Sequence, residues 1–230
     1  RSPVPEDEEP AVSGSPAEKT FTGVWVSLFL LAAHLARLNA SDPSQIVQHA
    51  GAGAEAILSG EVFRTLTALT IHADFLHLAG NLLGIAVFGT AVCHMVGAGL
   101  GWLMILGAGM IGNLANAWLF QSDHLSVGAS TAVFGALGIL AAVQTYRRFR
   151  SEVSGFRAWL PLAGGLALLA FLGAGRHSDI TAHLFGFLAG NVVGVVYESR
   201  ISRPPGKRWQ RRFLALAAGA VVLSWLAALS

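Results

Sequence analysis

Polar residues in this chain fall into clusters, and between the clusters stand apolar runs of about 14 to 22 residues. A helix rises about 1.5 Å per residue and needs about 20 apolar residues to cross the hydrocarbon core of a bilayer. Seven runs meet or approach that length, over roughly 21–38, 76–96, 98–119, 126–146, 157–174, 179–197 and 212–229. The fifth is the shortest, with an apolar core from Trp159 to Leu172 and Pro161 near its start. The pattern predicts an all-α protein, a polytopic transmembrane helical bundle of seven spans. The connection over residues 39–75 is far longer than the others. Its second half, Ile57 to Ile71, mixes apolar and polar residues as an amphipathic segment lying in the membrane interface would.

Composition agrees with the pattern. Of the 230 residues 53% are hydrophobic and 12% are charged, against about 25% charged in ordinary soluble domains. A soluble domain of this size could not hide so much apolar surface. Residues 1–20 differ from the rest. They are rich in Pro and Ser and carry Glu6, Asp7, Glu8, Glu9 and Glu18, the composition of a disordered acidic tail. Cys93 is the lone cysteine; it excludes an intrachain disulfide and reads as a small buried hydrophobe.

The basic residues orient the spans. Arg147, Arg148, Arg150 and Arg157 follow the fourth run; Arg200, Arg203, Lys207, Arg208, Arg211 and Arg212 follow the sixth. The opposite loops hold only Arg64 and Arg176. Cytoplasmic loops carry the excess of Lys and Arg. The tail 1–20 and the basic loop 198–211 are therefore expected in the cytoplasm, with the 39–75 loop and the C-terminus outside.

Polar groups at membrane depth are costly and mark function. On this orientation His77 and Asn81 lie in the outer half of the second span, Ser130 about one turn into the fourth, and His183 about one turn into the sixth. Alone, a serine in such a helix bonds its own backbone and a histidine or asparagine bonds a neighbouring helix. Four such groups at one depth point instead to a shared site. His77 and Asn81 share a helix face at i, i+4. His183 shares one with Gly186 and Gly190, a small-xxx-small stripe that admits a close neighbour. Phe134 lies one turn after Ser130, and Gly128 stands at the mouth of that helix, whose backbone N–H groups favour negative charge. A serine needs an adjacent base to act as a nucleophile, and His183 is the candidate. Asp179, one turn before it, reads as a helix-capping residue facing water. The chemistry this set supports is acyl transfer. A transporter would instead line the full depth of the membrane with polar groups, and the inner halves of these spans are apolar.

These residues resemble the rhomboid family of intramembrane serine proteases over about residues 21–197. Gly128-Ala129-Ser130-Thr131 with Phe134 resembles its nucleophile motif, and Ala182-His183 with Gly186 and Gly190 its base-bearing helix. His77-x-x-x-Asn81, preceded by His72-Ala73-Asp74-Phe75, resembles its oxyanion-binding segment. Gly60-Glu61-Val62-Phe63-Arg64 resembles its first-loop signature, and Gly112-Asn113-Leu114 its third helix. Three positions depart from the pattern: Thr131 stands where glycine is common, Phe63 where tryptophan is, and Phe134 where tyrosine is. The resemblance implies a six-helix protease core over 21–197 with an added C-terminal span over 212–230. It implies catalytic Ser130 and His183, stabilising His77, Asn81 and Gly128, and supporting Phe134, Gly186, Gly190, His72 and Arg64. The implied activity is hydrolysis of a peptide bond in or near the transmembrane segment of membrane-protein substrates. The implied location is a bacterial inner membrane, with the site opening to the outer side. No cofactor, metal or nucleic acid is expected. The alternative is a rhomboid-like pseudoprotease that binds membrane proteins without cutting them.

Overall fold

The computed structural model describes residues 21–122, 124–151, 155–173 and 179–230. The expected acidic tail and Arg176 lie outside them. The protein is an integral membrane helical bundle. Helix α1 spans Thr22–Leu38, and a folded connection follows: α2 (Pro43–Ala50), α3 (Ala54–Leu58), α4 (Arg64–Thr67) and a 3-10 turn, Ala68–Thr70. Next come α5 (Phe75–Gly84), a π turn (Ile85–Gly89) and α6 (Thr90–Val96), which together form one rod. The remaining helices are α7 (Ala98–Phe120), α8 (Ser130–Arg150), α9 (Leu160–Gly173), α10 (Ile180–Arg200) and α11 (Lys207–Ala228).

Seven helical rods thus stand where the apolar runs predict them. Five are long and apolar enough to cross a bilayer: Phe75–Val96, Ala98–Phe120, Gly155–Gly173, Ile180–Arg200 and Lys207–Ala228. Helix α1 adds a shorter apolar helix of 17 residues. Helix α8 has 21 residues, and its last turn carries Arg147, Arg148 and Arg150. It sits at the centre, with Thr131 to Ile139 buried without a break. The periphery is apolar, as lipid contact requires: Trp25, Phe29, Leu83, Phe171, Leu216 and Leu223 are all at least half exposed.

Helices α8 and α10 form the central pair. A Cβ on Gly186 would lie 2.2 Å from the Thr131 carbonyl oxygen, and one on Gly190 2.0 Å from that of Gly135. Backbone therefore packs on backbone, the approach that a stripe of small residues permits. At the far end, the Arg147 guanidinium donates two bonds of 3.0 Å to the Glu198 carboxylate, tying α8 to α10 again.

The 39–75 connection differs from expectation. The residues from Arg64 to His72 are all buried, so this stretch does not lie amphipathically in the interface. It folds onto the bundle because its polar groups find internal partners. Thr67 donates to the Ala50 carbonyl at 2.6 Å, Asn113 on α7 donates to the Thr65 carbonyl at 2.9 Å, and Trp225 on α11 donates to Thr70 Oγ1 at 3.1 Å. Asp42 caps α2 by accepting from Ser44 and Gln45 N–H, ahead of Pro43 at the first helical position. The Ser44 hydroxyl, which donates to Asp42 Oδ1 at 2.6 Å, and then these N–H bonds hold the Asp42 carboxyl below its ordinary pKa.

The last helix is fastened as closely. Gln210 donates from Nε2 to the Val96 carbonyl (2.9 Å) and accepts at Oε1 from Leu100 N–H (3.0 Å). One side chain thus serves both helix ends that meet at Gly97. The basic stretch is short as a connection. Helix α10 runs to Arg200 and α11 begins at Lys207, so most of the 198–211 charges sit on helix ends.

Candidate active site

Ser130 opens α8 rather than lying a turn inside it. The run read as a span from 126 is interrupted at its start. Leu125 and Ser126 pair as a short antiparallel strand (β2) with Ala52 and Gly53 (β1), and Gly128 then takes φ +124°. Only glycine adopts that backbone readily. A Cβ there would also lie 2.5 Å from the His77 ring. Gly128 N–H donates to the Ala68 carbonyl (2.9 Å) and Ala129 N–H to His72 Nε2 (3.3 Å). His72 therefore braces the turn that presents Ser130.

His183 lies one turn into α10, as expected, and is buried. Its Nε2 is 2.8 Å from Ser130 Oγ. The Phe134 ring packs against the imidazole, with centroids 4.6 Å apart and planes 35° apart. The other ring nitrogen, Nδ1, faces Gly173 at the end of α9.

Asp74 caps α5, accepting from His77 N–H at 2.8 Å. That cap sets the first turn, so His77 and Asn81 face α8 from one side of the helix. The Asn81 side chain is 4% exposed, and its Nδ2 has no hydrogen-bond partner. Buried polar groups are nearly always paired, so this donor is open to a group placed in the cleft beside Ser130. Ser130, His183, His77 and Asn81 line one cleft of about 810 Å³, whose remaining wall is mainly apolar, with Leu76, Leu83, Val87, Phe88 and Leu172.

Of the predicted residues, Ser130, His183, His77, Asn81 and Phe134 come together at this cleft. Gly128, Gly186, Gly190 and His72 support it from behind. Arg64 does not line it; Arg64 bonds Glu61 Oε2 (2.6 Å) and the Gln48 carbonyl (2.5 Å) within the 39–75 connection. Thr131 points away, with its methyl between Gly112 and Gly186. Among the described residues, no group of three or more His, Cys, Asp or Glu could hold a metal ion.

Asp179 corrects the sequence reading. It caps α10 through Ala182 N–H (3.0 Å), yet its side chain is only 14% exposed and does not face water. Asn116 Nδ2 and His124 Nε2 reach its Oδ2 at 2.7 and 2.6 Å. Burial pushes this carboxyl up, and the bonds from Ala182, His124 and Thr181 outweigh that, so its pKa lies below the ordinary value. His124 and Asn116 had no signal in the chain that joined them to position 179.

Fold and site together define an integral membrane protein whose helices carry a serine–histidine pair into an apolar cleft. A family model described as Rhomboid domain matches residues 59–200, more than half the chain, and the chain belongs to the rhomboid family. It is similar to YdcA of Bacillus subtilis, 30% identical over 134 residues (58% of this chain, 66% of that protein). It is also similar to Rhomboid protease GluP of Bacillus subtilis, 36% identical over 131 residues (56% of this chain, 25% of that protein). Rhomboid-like protease 3 of Toxoplasma gondii is 29% identical over 214 residues, covering 88% of this chain and 76% of that protein. The chain thus spans a quarter to three quarters of the length of these relatives.

Proposed function

We propose that the chain is an intramembrane serine endopeptidase working through a Ser130–His183 dyad. The observation that carries this reading is the 2.8 Å contact from His183 Nε2 to Ser130 Oγ inside the cleft. In this reading, Nε2 accepts the Ser130 proton as Oγ attacks the scissile carbonyl carbon. The proton on Nδ1, facing Gly173, leaves Nε2 free to accept. Negative charge then develops on the carbonyl oxygen. Asn81 Nδ2, His77 and the Ser130 N–H at the start of α8 are the donors available to it. Protonated Nε2 next gives its proton to the departing amine, and the acyl group remains on Ser130. A water, deprotonated by His183, attacks the acyl carbon, releasing the new carboxyl end and restoring the serine.

Membership of the rhomboid family and the apolar wall of the cleft support the substrate class. The wall's apolar side chains suit a transmembrane segment of another membrane protein, unwound where it is cut. The charge distribution supports a cytoplasmic N-terminus, a C-terminus outside and a site opening to the outer face of the membrane.

The test is labelling of the detergent-solubilised protein with a fluorophosphonate probe, in wild type, Ser130→Ala and His183→Ala. Labelling of wild type that is lost in both variants is expected. A folded wild type that takes no label would overturn the protease reading in favour of a binding protein, and label retained in Ser130→Ala would mean another nucleophile.

A further inference from the structure

The glycine contacts between α8 and α10 decide how near the two helices come, but not how far one slides along the other. A slip of one residue moves a helical side chain about 1.5 Å along the axis. That lengthens the 2.8 Å contact between Ser130 and His183 to about 3.2–4.3 Å according to its direction, from the outer edge of a hydrogen bond to well beyond it. Something must set the axial position of the base relative to the nucleophile.

A side-chain cluster next to the site does this. Asp179 lies four residues before His183, and its backbone carbonyl accepts from His183 N–H at 3.0 Å. Its carboxylate receives four donors. Oδ1 takes Ala182 N–H (3.0 Å) and the Thr181 hydroxyl (2.8 Å). Oδ2 takes Asn116 Nδ2 (2.7 Å) and His124 Nε2 (2.6 Å). Asn116 belongs to α7. His124 lies six residues before Ser130, immediately ahead of β2, and is itself fixed twice. Its ring stacks on Phe120 at 3.9 Å, and its carbonyl accepts from Ala54 N–H at 2.9 Å. The cluster therefore joins the start of the base-bearing helix to the strap that leads into the nucleophile.

We propose that Asp179, clasped by His124 and Asn116, is a positioning residue that sets the axial register of His183 against Ser130. The inference rests on the protease reading. Charge-assisted bonds to a nearly buried carboxylate are strong enough for the task, since each is roughly twice as strong as a neutral one. None of the three side chains lines the cleft, so their effect reaches the reaction through the placement of His183 alone.

The test uses the full chain in detergent micelles, with His124→Ala, His124→Gln and Asp179→Asn. Three quantities are measured: fluorophosphonate labelling resolved into kinact and KI, kcat and KM on a transmembrane reporter, and the thermal unfolding midpoint. A misplaced base lowers the rate of the chemical step, so His124→Ala is expected to lower kinact and kcat about 10-fold while KI and KM stay within about 2-fold. His124→Gln keeps an N–H donor and is expected to recover most of the rate. Asp179→Asn is expected to lose at least as much as His124→Ala; should it fail to fold, the His124 pair decides the matter. Wild-type kinact in folded His124→Ala, a loss confined to KI and KM, or no recovery in His124→Gln would overturn the clasp while leaving the protease reading intact. A wild type that takes no label would overturn both.

Discussion

Gly186→Ala tests the central packing and the chemistry together. Gly186 lies one turn after His183, and its neighbour across the interface, Thr131, directly follows Ser130. A Cβ at position 186 would lie 2.2 Å from the Thr131 carbonyl oxygen and 3.0 Å from its methyl. Side-chain carbons essentially never approach closer than 3.0 Å, so the helices must part by about 0.8 Å at this level. The obstacle is backbone and cannot rotate away. Parting the pair by that amount stretches the Ser130–His183 contact from 2.8 Å to as much as about 3.6 Å, at which a hydrogen bond is lost. The substitution is expected to cost about 1–3 kcal/mol of stability and to slow turnover roughly 100-fold. The assay pairs thermal unfolding in detergent with the fluorophosphonate labelling rate. A variant that labels at the wild-type rate with an unchanged midpoint would refute the claim that the α8–α10 approach sets the dyad.

Further outcomes follow from single contacts. Asn81→Ala removes the unpaired donor beside Ser130 and is expected to lower kcat roughly 10²–10³-fold without changing the unfolding midpoint; cleavage of a transmembrane reporter measures it. Thr131→Gly removes a methyl held between Gly112 and Gly186, so it is expected to cost about 1 kcal/mol or more and to leave the ratio of rates on different substrates unchanged, as a substrate panel would reveal. Gln210→Ala strips partners from Val96 O and Leu100 N–H, with an expected cost of about 1–3 kcal/mol read from thermal unfolding. Asp179 lies just outside the α10 span, and its pKa is depressed in the folded protein. Its contribution to stability is therefore present above its unfolded value of about 3.9 and is lost as pH falls through the lower folded value. The midpoint difference between wild type and Asp179→Asn should accordingly close as pH drops below about 4.

The candidate site was legible where its residues lay on helices with a clear period. His77 and Asn81 at i, i+4, and His183 with Gly186 and Gly190, announce their faces because a transmembrane helix is a regular object. The start of α8 was not legible. It depends on a two-residue strand pairing with residues 52 and 53, and no local signal betrays so short a ladder. The burial of Arg64 to His72 within the 39–75 connection was hidden for a related reason: Thr65, Thr67 and Thr70 look solvent-facing until their distant partners are known. Asp179 had a capping signature, and that much was correct. Its partners at 116 and 124 lie 63 and 55 residues away, and chain spacing carries no information about such a meeting.

The π turn at Ile85–Gly89 has a consequence for helix phase. A π turn holds one residue more than an α-helix would need for the same rise. Each residue of an α-helix advances the azimuth by about 100°. Deleting one residue from Ile85–Gly89 would let the rod from Phe75 to Val96 become a regular α-helix. The wider turn absorbs the surplus residue, so that deletion would leave His77 and Asn81 at nearly their present azimuth relative to α6. If the same residues were instead forced into an unbroken α-helix with none removed, both side chains would turn by about 100° and leave the cleft, while Ser130 and His183 kept their contact. The irregular turn thus acts as a phase correction, letting one surplus residue pass without misaligning the half of the rod that packs on the bundle and the half that serves the cleft.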